Sequence, residues 1–162
     1  MEQSVKHGFS DLKNYVFGST AAIITNTSLI VGLGSARAGK GPILGSLLTI
    51  ALADNISDSL GIHLYKETEG NEQRLSLLAT VLNFTARLIV SLSFIGIVLL
   101  FTTARSIPVA IVWGLLLLVL LSYLITKTNK SNSIAEIFKH VMVGVVVVAL
   151  SRYVGGLIAA WF

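Results

Sequence analysis

The sequence contains no cysteine and only two prolines, and charged residues make up 12% of its 162 positions. Without cysteine, disulfides and thiolate metal sites are excluded. The charged fraction is about half of the roughly 25% usual in soluble domains. No H-E-x-x-H or paired-His pattern is present, and no Ser/His/Asp arrangement can be assembled, so nothing in the chain points to an enzyme. The opening "MEQSVKHGFSDLKNY" is polar and mixed in sign, which predicts that no secretory signal begins it.

What is present is apolar. Hydrophobic residues make up 54% of the chain and the mean hydropathy is +0.81. These values predict an all-α integral membrane protein forming one domain over residues 1–162. The net charge of +4 does not indicate nucleic acid, because the basic residues are dispersed among the polar breaks that flank apolar segments. A helix needs roughly 20 apolar residues to cross the hydrocarbon core. Five transmembrane segments of that length are expected, near 15–34, 43–64, 78–102, 108–126 and 136–160. "GSARAGKGP", "KETEGNEQR", "ARSIP" and "KTNKSNS" separate them. Pro108 suits a first helical turn, and Ser133 with Glu136 has the spacing of a capping box. With the N-terminus cytoplasmic, seven Lys and Arg flank the inner ends and three flank the outer, which favours a C-terminus outside.

The fourth segment, "AIVWGLLLLVLLSYLI", is nearly pure aliphatic and is expected at the periphery. The first carries Ser19, Thr20, Thr25, Asn26, Thr27 and Ser28, and Ala21, Thr25, Ser28 and Gly32 share one helical face. Small and hydroxyl residues permit close helix contact, so this segment is expected at the centre, beside the second. "GPILG" at 41–45 and "GGLIA" near the end have the small-xxx-small spacing of packing faces. "GSARAGKG" matches a phosphate loop only superficially, because Gly41 and Pro42 stand where Ser or Thr is needed.

Two carboxylates, Asp54 and Asp58, interrupt the second segment, "TIALADNISDSLGIHLY". An ionised group in the bilayer core costs at least about 2.5–3.5 kcal/mol. Four residues apart, both project from one helical face and require a proton, an arginine or a metal ion. Oxygen ligands suit Mn²⁺, Mg²⁺ or Fe²⁺, and Asn26 and Thr25 in the first segment are placed to add neutral oxygens. Arg87 and Arg152 offer the alternative of a neutral structural network. At about 1.5 Å per residue, Arg87 falls at the depth of Asp58, and Arg152 within a turn of Asp54. His63, Glu67 and Glu69, with Glu72, form either an inner acidic mouth or a solvated helix end.

Three stretches carry a resemblance. "LKNYVFGSTAAIITNTSLIVGLGSA" (12–36), "LADNISDSLGIHLYKETE" (52–69) and "IFKHVMVGVVVVALSRYVGGLI" (137–158) resemble, in order and spacing, the motifs of the vacuolar iron transporter family, which includes nodulin-21-like proteins. The resemblance implies the same five spans and a homodimer whose first two spans line a shared pathway. It also implies export of Fe²⁺ or Mn²⁺ from the cytoplasm in exchange for protons, the cation being substrate and not cofactor. Asp54 matches the aspartate of the family's L-A-D motif. The chain departs from the family at Ala21, where an acid is usual, and at Asp58, where a methionine is usual. It departs again at Ile62 and His63, which replace a Glu-Tyr pair, and at Arg87, where a small residue is usual. The family's Glu-rich cytoplasmic insert between spans two and three is absent. The expectation is therefore a divalent-cation transporter in the plasma or inner membrane. The alternatives are a non-transporting membrane protein built on an Asp–Arg network, or a transporter of a non-metal solute.

Overall fold

Helix ends fall where the sequence turns polar. The computed structural model describes the backbone of residues 2–70, 73–129 and 133–161 and the side chains of residues 18–70, 73–127 and 134–161. Over these residues the chain is helical throughout, without strands: α1 (Glu2–Ser35), α2 (Lys40–Thr49), a wide π turn (Ile50–Asp54), α3 (Asn55–Thr68), α4 (Gln73–Leu100), α5 (Thr103–Asn129) and α6 (Ser133–Trp161). α2, the π turn and α3 are continuous. Among the described residues four helices are long and apolar enough to cross a membrane: Lys40–Thr68, Gln73–Leu100, Thr103–Lys127 and Ile134–Trp161. That is the composition of an all-α membrane protein. α1 is of spanning length but more polar, and it is not among the four.

Burial is inverted relative to a water-soluble bundle. Ser19, Asn26, Asn55, Ser59, Ser76, Asn83, Arg87, Ser91, Ser106 and Ser122 are buried, while Leu52, Leu60, Val81, Leu116 and Leu150 lie more than half exposed. In lipid, aliphatic surface gains nothing by hiding, so contacts between helices fall to small and hydrogen-bonding residues. The apolar core that does exist joins Ile23 and Ile30 of α1, Ile43 and Leu47 of α2, and Phe94 and Val98 of α4.

α1 lies at the centre as expected, packed against α4, α5 and α6, but it meets the second segment mainly through α2. α4 stands between α1 and α3. The expected peripheral helix was α5; the least buried is α6, with 11% of its apolar window buried against 33% for α5. α5 is drawn inward because Gly114 lets Thr27 of α1 approach closely.

Several boundaries differ from expectation. α1 begins at Glu2, well before residue 15. It ends in a Schellman turn, with the Ala38 amide bonded to the Leu33 carbonyl (2.9 Å) and the Arg37 amide to Gly34 (3.2 Å). The left-handed position of that turn, usually glycine, is Arg37 (φ 61°). α5 starts at Thr103, its first turn anchored by the Thr102 carbonyl, which accepts the amides of Arg105 (2.9 Å) and Ser106 (2.8 Å). Pro108 therefore sits inside the helix instead of in its first turn, and the Ala104 carbonyl lacks its usual partner. The side chain of Ser133 in the expected capping box lies outside the described residues, as does Glu72; Glu136 pairs with Lys139 (3.0 Å).

The small-residue motifs divide. A methyl group on Gly155 would meet the Gly32 carbonyl of α1 at 2.2 Å, so α1 and α6 touch backbone to backbone there. A methyl group on Gly41 or Gly45 of the other motif would meet nothing within 4 Å. Gly156 is equally open. Gly155→Ala is thus expected to destabilise the chain by about 1–3 kcal/mol, the cost of overpacking a rigid contact, whereas Gly156→Ala leaves it unchanged. Thermal unfolding of the two variants in detergent checks the contrast.

Candidate functional site

The buried positions of the second segment, Ile43, Leu47, Ala51, Asn55 and Ser59, recur strictly every fourth residue. An α-helix turns about 100° per residue, so each step of four overshoots by about 40° and the stripe would drift off its partner. The wide turn at Ile50–Asp54 takes up that drift. It keeps Asn55 and Ser59 facing α4 and sets Asp54 and Asp58 at the edge of the same contact. π turns inserted in helices are frequent at functional sites.

α4 answers with a polar row of its own: Asn83, Arg87 and Ser91, again four apart. Arg87 is 1% exposed. Its Nε donates to Asn55 Oδ1 (2.9 Å), and its Nη2 donates to the Asp54 carboxylate. Nη1 lies 2.6 Å from Asp58 Oδ2 as an ion pair, yet it lacks a hydrogen bond of proper direction. Asn83 Nδ2 donates to Ser59 Oγ (3.1 Å). Gly18 of α1 makes this possible, because a methyl group there would meet Asn83 Oδ1 at 2.1 Å and Arg87 Cγ at 3.2 Å. One turn further along α4, Asn26 Nδ2 donates to Ser91 Oγ (3.0 Å) and to the Ala22 carbonyl (2.7 Å).

The cluster is asymmetric in exposure and in charge. The guanidinium is enclosed, but the side chains of Asp54 and Asp58 are each 41% exposed. Two carboxylates face one guanidinium, which leaves one formal negative charge in excess. Arginine does not deprotonate in proteins, so that excess is relieved only by a proton or a further cation.

The expected residues are thus only partly brought together. Asp54, Asp58 and Arg87 meet. Arg152 does not join them: it is exposed on α6, beside Ser151, which faces Gly32 of α1. Gly18, against which Arg87 packs, and Gly32, against which Ser151 packs, lie about 20 Å apart along α1, so the estimate that put Arg152 within a turn of Asp54 was wrong in height. Asn26 and Thr25 make no hydrogen bond to either carboxylate. Asn26 is held on Ser91, with its Oδ1 buried and unpartnered, and Thr25 is half-buried on another face of α1. At the C-terminal end of α3 His63 pairs with Glu67 (3.3 Å), and Glu69 accepts from Tyr65 (2.8 Å) and Lys66 (3.1 Å). These are local pairs along one helix, not a convergent mouth. Among the described residues no group of three or more His, Asp or Glu is placed to hold a metal ion.

Sequence reasoning missed Asn55, Ser59, Asn83 and Gly18. The recurrence of Asn83, Arg87 and Ser91 every fourth residue was a readable signal; the role of Gly18 was not, because it concerns residues 65 and 69 positions away. The fold and site define an all-α membrane protein with an Asp–Arg–Asp cluster between two of its helices. Comparison with known protein families and with curated proteins finds no match for the chain.

Removal of one partner from a buried ion pair leaves the others uncompensated. Arg87→Met is expected to destabilise the chain by about 3 kcal/mol, and adding Asp54→Asn and Asp58→Asn should restore most of the loss. Unfolding midpoints of the single and triple variants in detergent measure both effects.

Proposed function

We propose that the chain is a five-span membrane carrier for a divalent cation, Fe²⁺ or Mn²⁺. In this reading it exports the ion from the cytoplasm in exchange for protons, as a homodimer in the plasma or inner membrane. The N-terminus is cytoplasmic, the C-terminus is outside, and α1 supplies the fifth span. The observation that carries the reading is the excess negative charge on half-exposed carboxylates within a segment apolar enough to cross a membrane. Such a charge is costly in lipid and favours a mobile counter-ion. The motifs at residues 12–36 and 52–69 support the same assignment by resemblance.

Two contacts support a division of labour between the carboxylates. Asp54, tied to Arg87 Nη2, is the fixed ligand. Asp58, whose contact with Nη1 is out of line for a hydrogen bond, is the carboxylate freer to turn toward an arriving cation. Both offer hard oxygen ligands, which suit Mn²⁺ and Fe²⁺ better than softer ions. Protons competing for the same oxygens couple loading to pH. Asn26 and Thr25 contribute only if the helices rearrange, because in this state neither reaches the carboxylates.

One observation favours a second reading, a non-transporting membrane protein: both acids converge on one enclosed guanidinium, as a structural network would. Two experiments separate the readings. In proteoliposomes loaded with a metal-sensitive dye, Asp54→Asn is expected to abolish Mn²⁺ and Fe²⁺ uptake while the oligomeric state is unchanged; full flux in the variant removes Asp54 from the mechanism. Exchanging Asp58 and Arg87 should restore folding lost in each single change but not flux. Flux that returns with the fold refutes a role for the orientation of the pair.

A further inference from the structure

α3 and α4 diverge on the side away from the acid pair. The resulting groove, about 410 Å³ and open along one side, is lined by Ile56, Leu60 and His63 of α3 and by Leu77, Val81 and Phe84 of α4, with Ser59 and Thr80 at its floor. The polar groups of the lining are engaged elsewhere except for His63 Nδ1, which is buried without a partner. Ser59 accepts from Asn83, Thr80 donates to the Ser76 carbonyl (2.8 Å), and His63 pairs with Glu67. Most of what the groove presents is aliphatic and aromatic. At about 100° per residue, Ile56, Leu60 and His63 lie on roughly the opposite side of α3 from Asp54 and Asp58. A second copy that covered the carboxylates would leave the groove open.

One end of the groove is basic. Arg74 is exposed one turn before Leu77 on the same face of α4. Lys66 follows Ser59 and His63 on the same face of α3 and is bridged to Glu69 (3.1 Å). Among the described residues the acids at this end are committed, Glu67 to His63 and Glu69 to Lys66 and Tyr65, so Arg74 is the cation left there to face a ligand. Arg74 to Phe84 spans about 15 Å along the helix. An apolar slot of that length, opening sideways from a helix that can cross a membrane and headed by a guanidinium, is complementary to one amphiphile: a chain below and an anionic group above.

We propose that this groove binds one acyl chain of an anionic phospholipid, with Arg74 at its phosphate. The site does not depend on the transport reading. Its occupant comes from the bilayer itself, and the α3–α4 pair that it wedges also carries Asp54, Asp58 and Arg87.

The test uses the full chain purified in detergent and incubated with equal amounts of dioleoylphosphatidylglycerol and dioleoylphosphatidylcholine, with retained lipid read by native mass spectrometry. The expected result is one phosphatidylglycerol per chain, preferred several-fold over phosphatidylcholine. Arg74→Gln should abolish the preference while a lipid stays bound, and Val81→Trp, which fills the groove, should remove the lipid. Arg74→Gln alters an exposed residue and keeps the test decisive if the tryptophan variant fails to fold. No retained lipid, equal retention of the two by the wild type, or an unchanged preference in Arg74→Gln overturns the proposal. So does retention by a folded Val81→Trp. Because the chain has no native cysteine, Leu60→Cys adds a further check: a disulfide-linked dimer formed in membranes would mean that a second copy fills the groove, and would overturn it as well.

Discussion

A guanidinium that cannot shed its proton is enclosed between two helices apolar enough to cross a membrane, and the neighbouring structure is arranged to hold it. Taking such a charge out of water costs several kcal/mol unless partners surround it. Arg87 has Asn55, Asp54 and Asp58. The wide turn at Ile50–Asp54 keeps those three on the side facing α4. Gly18 keeps α1 from colliding with the stem of Arg87 and with Asn83. Each of these features is unremarkable alone; together they converge on one side chain.

The same physics governs the rest of the bundle. With lipid outside, aliphatic side chains have no reason to turn inward, and α5 and α6 display theirs freely. Helix contacts are made by what is small or can hydrogen-bond. Gly114 admits Thr27, Gly155 admits the backbone of α1, and Asn26 reaches Ser91. Serine and threonine hydroxyls within the helices return to carbonyls one turn back, as in Thr27 to Ile23 and Ser122 to Leu118 (2.7 and 2.6 Å), so they add little exposed polarity. α6 is held largely by backbone proximity near Gly155 and by its packing on α5, where His140 meets Ser122 (2.9 Å).

The proposed transport rests on an imbalance. One guanidinium cannot neutralise two carboxylates, and the carboxylates, unlike the guanidinium, remain accessible. A fully compensated network would have no need of a mobile ion. This one retains a charge to be met by a proton, a metal ion or a neighbouring chain. Asp58, close to Arg87 but out of line with its N–H bonds, is the part of the cluster with freedom to exchange partners.

Helix content, the membrane-like composition and the pairing of Asp54 and Asp58 on one helical face were legible in the residue order, because hydropathy and the 3.6-residue period are local properties. The common depth of Arg87 and Asp58 followed from counting along helices. The place of Arg152 did not, since counting from the middle of each span assumes a common midplane, and packing sets α6 with Ser151 at Gly32, far along α1 from the Gly18 end where Arg87 packs. Nor could counting show that Asn26 would turn to Ser91, that Gly41 and Gly45 would face outward while Gly155 packed, or that α6 would be less covered than α5. Residue order set which segments are helical and how much charge they carry. Packing settled which polar groups meet, because a hydrogen bond or ion pair requires two helices to share both height and azimuth, and neither is a local property of the chain.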